Sequence, residues 1–404
     1  MKVHHILLTC LLLTSNFCTF QDREKAQQSI FVSDTLSQAL YPYLTLDHTN
    51  RPIVCWVEKN EDGKSQLFFS GESKNFQEKI RIPTPGNLKT HSESNPKIIF
   101  NKKGEILAAY QVSFATEENR FAGAIEYVQS FDGGKTWTQA RFLHSGSSKE
   151  ESRGYFDLAL LADDEIGAVW LDHQNEETKG RPLMFAKTKG RNGFQEEKTI
   201  ESDACECCRT DIETNSRGEV AIVFRDLLED SARDMSFIYS HDNGVTFSSS
   251  RVISPDGWKV KACPHTGPAI GLSGEKIWFN WYSGKKEEDG VYFNFFNKTD
   301  QQFSKKEKLS SNRNAARPQL TVLPDSRPIA VWEEPYEKEN EIFKRIFLKE
   351  MANNNASIIA VNADNTRGSF PVIVSIPGSI WVSWQQQFQN TSAVMIKRIV
   401  LNEN

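Results

Sequence analysis

Past its first twenty residues the chain has no run approaching 18 consecutive apolar residues, so nothing there is long and greasy enough to cross a bilayer as a helix. It also has no excess of positive charge. Its 48 Lys and Arg face 53 Asp and Glu, a net charge of −5, which argues against a blanket basic surface and against nucleic acid as a partner. The compositional bias of a disordered chain is missing too, with 38% hydrophobic and 25% charged residues. Signals for long helices are nearly absent. What is abundant is aromatic: 26 Phe, 9 Trp and 9 Tyr suit pleated, half-buried strands better than helices.

Residues 1–20 stand apart. Met1-Lys2 and His4-His5, then the apolar run Ile6 to Leu13, then polar residues, follow the charged, greasy and polar order of a secretory signal. The expected organisation is a signal at 1–20, a linker at 21–27 and one domain over 28–404. The protein is then secreted, periplasmic or held at the cell surface. Cys18 offers lipid anchoring as an alternative to plain cleavage, although Ser15-Asn16-Phe17 is a poor match to the small residues that precede a lipidated cysteine. Asn297, Asn355 and Asn390 head glycosylation sequons, meaningful only in a eukaryotic source.

One unit recurs seven times: a short strand, a turn rich in Asp, Asn and Gly, and a second strand ending on an aromatic. The copies run from Pro42 to Trp56, Pro96 to Tyr110, Phe156 to Trp170, Thr210 to Phe224, Pro268 to Trp281, Pro318 to Trp332 and Pro371 to Trp384. Each leaves room for four strands. Such a unit is too small to be stable alone and must bury its faces against its neighbours. The predicted fold is therefore an all-β, seven-bladed β-propeller, with six blades as the alternative count and a β-sandwich as the competing architecture. The seventh copy is short of a fourth strand, which the segment Ser29 to Ser37 can supply.

Two stretches between third and fourth strands, Ser130 to Trp137 and Ser240 to Phe247, fit the pattern S-x-D-x-G-x-T-[WF]. Asp accepts bonds from its own turn, Gly supplies positive φ and the aromatic pins the turn to the blade. Both stretches resemble the Asp-box, or BNR repeat, of sialidases. That resemblance implies a sialidase-type propeller in which Asp132 and Asp242 are structural braces away from the active face. The family's first arginine motif is not in place here. Arg81-Ile82-Pro83 is read as falling after an outer strand, far from the next inner strand, which puts sialic acid hydrolysis in doubt.

In a propeller the loops entering the inner strands and those leaving the second strands share one face around the central channel. Arg153, Arg209, Arg317 and Arg367 enter from four repeats. Arginine suits carboxylate or sulfate because its planar fork donates two parallel hydrogen bonds. They are the candidate substrate contacts, with His173 and His265, and the implied partner is an acidic glycan. Arg209 and Arg317 share one register and are expected to point alike at the channel mouth. For a glycosidase, Tyr282 or Glu333 is the candidate nucleophile and Asp172 or Asp226 the candidate acid/base. A polysaccharide lyase is the alternative enzyme, with arginine neutralising a uronate and His173, His265 and Tyr282 moving protons. A non-catalytic glycan-, protein- or metal-binding propeller is the alternative outside enzymes.

Four of the five cysteines beyond the first twenty residues gather at adjacent repeat entries: Cys205, Cys207, Cys208 and Cys263. Two disulfides, a Zn²⁺ or Cu⁺ site of three thiolates with Cys263 or His265, and redox-active thiols all stay open.

Overall fold

The computed structural model describes residues 28–401 apart from 36, 147–149, 175–178, 263 and 354. The expected signal, linker, Cys18 and Cys263 lie outside the described residues. Among those described, strands dominate, and the helical elements are two single 3-10 turns, Glu72–Lys74 and Gly190–Asn192. No described helix is long and apolar enough to cross a membrane.

Each repeat folds into an up-and-down antiparallel set. In the third, Gly154–Leu160, Ile166–Leu171, Arg181–Thr188 and Phe194–Ala204 pair in that order. The first, sixth and seventh repeats form one 12-stranded sheet, the sixth and seventh joined by the parallel bridge Lys344↔Arg367 and the seventh and first by Gln38↔Ser392. The inner strands gather around one cavity of about 860 Å³, whose walls carry residues from all seven repeats, among them Tyr43, Lys97, Asp157, Asp211, Ile270, Gln319 and Val372. Their exposed edges explain why five of the seven repeats begin on proline, which lacks a donor and is tolerated where no ladder partner exists. Side chains stitch these edges instead. Asp157 Oδ2 accepts from the Ile212 amide at 3.3 Å, and Asp211 Oδ2 from the Ile270 amide at 2.9 Å.

All seven repeat aromatics, Trp56, Tyr110, Trp170, Phe224, Trp281, Trp332 and Trp384, are among the largest fully buried side chains. In four repeats the indole N–H is satisfied by the side chain two residues later. Trp56 donates to Glu58 at 2.9 Å, Trp170 to Asp172 at 2.8 Å, Trp332 to Glu334 at 2.7 Å and Trp384 to Gln386 at 3.2 Å. Apolar clusters lie between consecutive repeats, not within them. One joins Ile53 and Phe69 to Ile98 and Tyr110, and another joins Val54 and Trp56 to Trp381 and Val394, the first repeat to the last. The strand Ile30–Phe31 pairs with the last strand, Ile30 opposite Ile396 and Phe31 opposite Met395. Arg81 and Ile82, read as following an outer strand, form part of it: Ile80–Ile82 pairs with Ser65–Gly71.

The two Asp-containing turns are built alike. Asp132 accepts from the Thr136 amide at 2.9 Å and from its hydroxyl at 2.6 Å, and Asp242 from those of Thr246 at 2.8 and 2.6 Å. These bonds pull each carboxyl down to about 2. Gly244 has a φ of +78°, and a Cβ there would lie 2.6 Å from the Phe185 ring of the preceding repeat, against which Phe247 packs at 4.9 Å. The turns thus brace one repeat on the one before.

Two outcomes follow. A chain beginning at Asp34 loses Ile30 and the buried Val32, and should be less stable than one beginning at residue 28 by about 2–4 kcal/mol, from two large apolar side chains; equal denaturant midpoints would refute the pairing. For the turns, the folded carboxyl pKa lies below the unfolded value of about 3.9, so the stabilisation is present above pH 4 and fades as pH falls through about 2. Asp132→Asn and Asp242→Asn should lower the melting temperature at pH 7 and narrow their deficit toward pH 2.

Candidate functional site

Where the inner strands begin, four residues adopt the left-handed conformation that bulky side chains rarely take. Tyr41 (φ 51°), Tyr155 (56°), Arg317 (51°) and Phe370 (55°) each stand immediately before the first residue of their repeat. Each sits at a register shift between first and second strands. Such strain costs on the order of 1–3 kcal/mol per residue and collects at functional sites. His265, from the fifth repeat's entry, is left-handed as well, at 47°.

These residues form a continuous rim. The Tyr41 and Phe370 rings meet edge to face at 5.0 Å, and the Arg317 guanidinium lies 4.3 Å from the Phe370 centroid. The Arg317 amide donates to Thr266 Oγ1 at 3.3 Å, which sets it beside His265. The His265 ring is 5.2 Å from His91, and His91 is 5.8 Å from Tyr155. His91 Nδ1 accepts the Glu93 amide at 3.2 Å, which leaves the ring proton of the neutral imidazole on Nε2. Burial, with His265, Lys89 and Arg317 adding and Glu93 opposing, holds His91 below the ordinary histidine range. The rim therefore presents two imidazoles, one of them kept neutral, two phenols and a guanidinium.

Arg209 does not point the same way as Arg317, although both precede their repeat. Arg209 keeps ordinary backbone geometry and turns inward. It is 8% exposed, paired to the 1% exposed Glu93 at 3.5 Å, and donates to the Pro318 carbonyl. The Gln319 amide oxygen, turned inward, accepts from its Nη2 at 3.0 Å and Nε at 3.3 Å. Glu93 also takes the Gly267 amide at 2.8 Å. A Cβ on Gly267 would come within 2.4 Å of the Arg209 carbonyl oxygen, so glycine is required for this approach.

The other expected residues are dispersed. Arg153 is buried and pairs with Asp172 at 2.8 Å and with Glu151. Asp172 carries Arg153, the Trp170 indole and the His173 amide, so it braces its repeat. Exposed His173 accepts the Ser152 amide at 3.4 Å. Glu333 is 2% exposed and holds Arg317 at 2.6 Å, Lys344 at 3.2 Å and the Phe370 amide at 2.8 Å, so it positions the rim. Arg367 pairs with Glu341 on the sixth repeat's hairpin at 3.0 Å. Tyr282 stacks edge-on against Trp258 at 5.6 Å, and burial raises its phenol. Asp226 stands where other repeats place the indole acceptor, but its repeat has Phe224 there. Burial, with Glu201 and Asp203 adding, pushes its carboxyl up to about 6.

Cys205, Cys207 and Cys208 are buried free thiols, and their sulfurs lie within 4.8 Å of one another. Hydrogen bonds from Cys207 and Cys208, with Arg225 and Arg233, lower the Cys205 thiol. Tyr155 packs against the cluster. His265 has no part in the group, and Cys263 lies outside the described residues.

His91, Glu93, Tyr41, Tyr155 and Phe370 escaped the sequence reading. His91 and Glu93 sit in a loop without a motif. The other three stand immediately before their repeats, the position that Arg209 and Arg317 also occupy.

No protein-family model matches the chain, and no curated protein matches its sequence. Solved structures do match. The chain is similar to the polysaccharide lyase Uly1, at 10% identity and a TM-score of 0.59, over 93% of this chain and 100% of that one. It is similar to the BP39L lectin from Burkholderia pseudomallei, at 9% identity and 0.59, over 92% and 97%. A third likeness is to a polysaccharide lyase, an ulvan lyase bound to -[GlcA(1-4)Rha3S]-, at 10% and 0.56, over 93% and 96%. At such identities the likeness shows the fold alone: an all-β, propeller-like set of small antiparallel sheets.

Glu93 offers a sharp check. Glu93→Ala strands the buried Arg209 charge and should cost roughly 3–5 kcal/mol, whereas pairing Glu93→Leu with Arg209→Met should recover much of it. A single variant as stable as the double one, by denaturant midpoint, would show that the pair is not formed.

Proposed function

We propose that this chain is an exported, seven-bladed propeller that binds an acidic polysaccharide across its mouth and cleaves it by β-elimination at a uronic acid. One observation carries the reading: His91, His265, Tyr155 and Arg317 share one rim, while the carboxylates a glycosidase would need, Asp172 and Glu333, are bound into the scaffold. The leader-like residues 1–20 support export. The fold's likeness to lyases is consistent with the reaction and does not decide it.

Arg317 and the Nε2–H of His91 hold the uronate carboxylate and so favour ionisation of the neighbouring C5–H. The Arg317 side chain is 25% exposed while its Nη1 is held by Glu333, so part of the guanidinium can face a ligand. His265 takes the C5 proton. The C5–H electron pair becomes the C4=C5 double bond, the C4–O4 bond breaks with its pair on oxygen, and the Tyr155 phenol protonates that oxygen. Tyr41 and Phe370 provide apolar faces for the adjoining sugar.

The product absorbs in the ultraviolet, which gives a direct assay on uronate polysaccharides. Tyr155→Phe should lower kcat by about 10²-fold or more while leaving KM nearly unchanged, as expected for loss of a proton donor. Arg317→Lys keeps the charge but loses the fork and should weaken binding about tenfold. His91→Gln, with an amide N–H near the Nε2 position, should retain more activity than His91→Ala. Burial holds His91 below the usual histidine pKa of about 6.5, so its protonation, which breaks the bond from the Glu93 amide to Nδ1 that orients the ring, should lower activity only below that value. New reducing ends without ultraviolet absorption would favour hydrolysis, and binding without cleavage would favour a lectin-like role.

A further inference from the structure

The cysteine cluster lies in the segment that links the third repeat's outer strand, Phe194–Ala204, to the fourth repeat's inner strand, Asp211–Thr214. Cys205, Cys207 and Cys208 are 1%, 4% and 2% exposed. Three sulfurs so close cannot all pair with one another, and any single disulfide among them leaves a buried thiol. Cys207 and Cys208 are also adjacent, with Cα atoms about 3.8 Å apart, below the usual 4.4–6.8 Å for a bridge.

The surroundings favour negative charge on sulfur. Arg233 Nη1 donates to Cys205 Sγ at 2.9 Å. Arg225, whose carbonyl receives the Cys205 amide at 2.8 Å, is 2% exposed. Among the described residues its guanidinium donates to carbonyl oxygens, those of Arg233 at 2.7 Å and of Thr266 and Tyr282 at 3.0 Å, and lies 4.8 Å from the Trp258 centroid, while its Nε has no hydrogen-bond partner. Among the described residues no carboxylate pairs with it. A cation buried without an acid partner is costly unless an anion lies close by.

We propose that Cys205, Cys207 and Cys208 bind one soft, thiophilic ion, Cu(I), as a three-coordinate thiolate site. Thiolates select soft metals. With metal–sulfur bonds of about 2.3 Å a trigonal site needs sulfurs about 4 Å apart, so small side-chain rotations from the observed spacing close it. Structural Zn²⁺ takes four ligands, and no His, Asp or Glu joins the three sulfurs among the described residues. The site also has a place in the architecture. Tyr155 rests on the cluster and Arg209 follows Cys208 directly, so a bound ion would fix the floor beneath the rim.

The test is an anaerobic titration of the reduced, purified full chain with Cu(I) against a chelating competitor. The wild type should bind about one equivalent more than the chain carrying Cys205→Ser, Cys207→Ser and Cys208→Ser, show a sulfur-to-copper ultraviolet band and melt at a higher temperature when loaded. Cys55→Ser should leave the stoichiometry unchanged. If the triple variant does not fold, peptide mapping of the wild type replaces it: Cu(I) should protect these three thiols from alkylation. Equal Cu(I) uptake by both chains, alkylation unaffected by Cu(I), Zn²⁺ displacing Cu(I) with a tetrahedral Co²⁺ spectrum, or a disulfide within residues 205–208 would each overturn the proposal.

Discussion

Every sheet in this protein has two apolar faces and no partner for either inside its own repeat. The clusters accordingly lie between repeats, from Ile53 and Ile98 at one junction to Trp56 and Trp381 at another. A sheet of four short strands gains too little from its own contacts to offset the entropy of ordering it, so each repeat depends on both neighbours. Much else follows from that dependence. The inner strands converge on one cavity, their unpaired edges are stitched by Asp157 and Asp211, and the strand Ile30–Phe31 is drawn back to the last strand.

The repeat aromatic is the means by which each face is filled, and it brings a polar cost. A buried indole N–H left unpaired loses the bond it had with water, so four repeats carry an acceptor two residues on. This Trp-x-acceptor pattern is visible in the sequence. Read without it, Asp172 looks like a loop carboxylate available for catalysis. Asp226 tests the logic: with Phe224 in place of tryptophan its carboxyl has no indole to serve, and burial raises its pKa to about 6.

The fold was legible because its signal is repeated. Spacing of 13 or 14 residues to an aromatic, recurring seven times, averages out the ambiguity of any single strand. The missing outer strand could be anticipated by counting, and Ile30–Phe31 occupies that place. The site was less legible because its signal is conformational. Tyr155 and Arg317 share a register position with Arg209, but only the first two take a left-handed φ, and that one dihedral decides between the rim and the interior. Nothing in the residue types announces it. Glu93, which draws Arg209 inward, comes from another repeat 116 positions away.

These constraints narrow the chemistry as well. A scaffold that needs carboxylates under its indoles and opposite its buried arginines leaves few of them for a ligand. Asp172, Glu333, Glu334 and Glu93 each hold two or more internal groups. The groups left at the mouth are those that carry or move protons without a standing negative charge: imidazole, phenol and guanidinium. An anionic chain can approach such a rim without repulsion from the wall, and Glu333, by anchoring both Arg317 and the Phe370 amide, fixes the cation and its aromatic platform together. The same residue that a reading for hydrolysis would make a nucleophile thus holds the guanidinium and the Phe370 backbone in place at the rim.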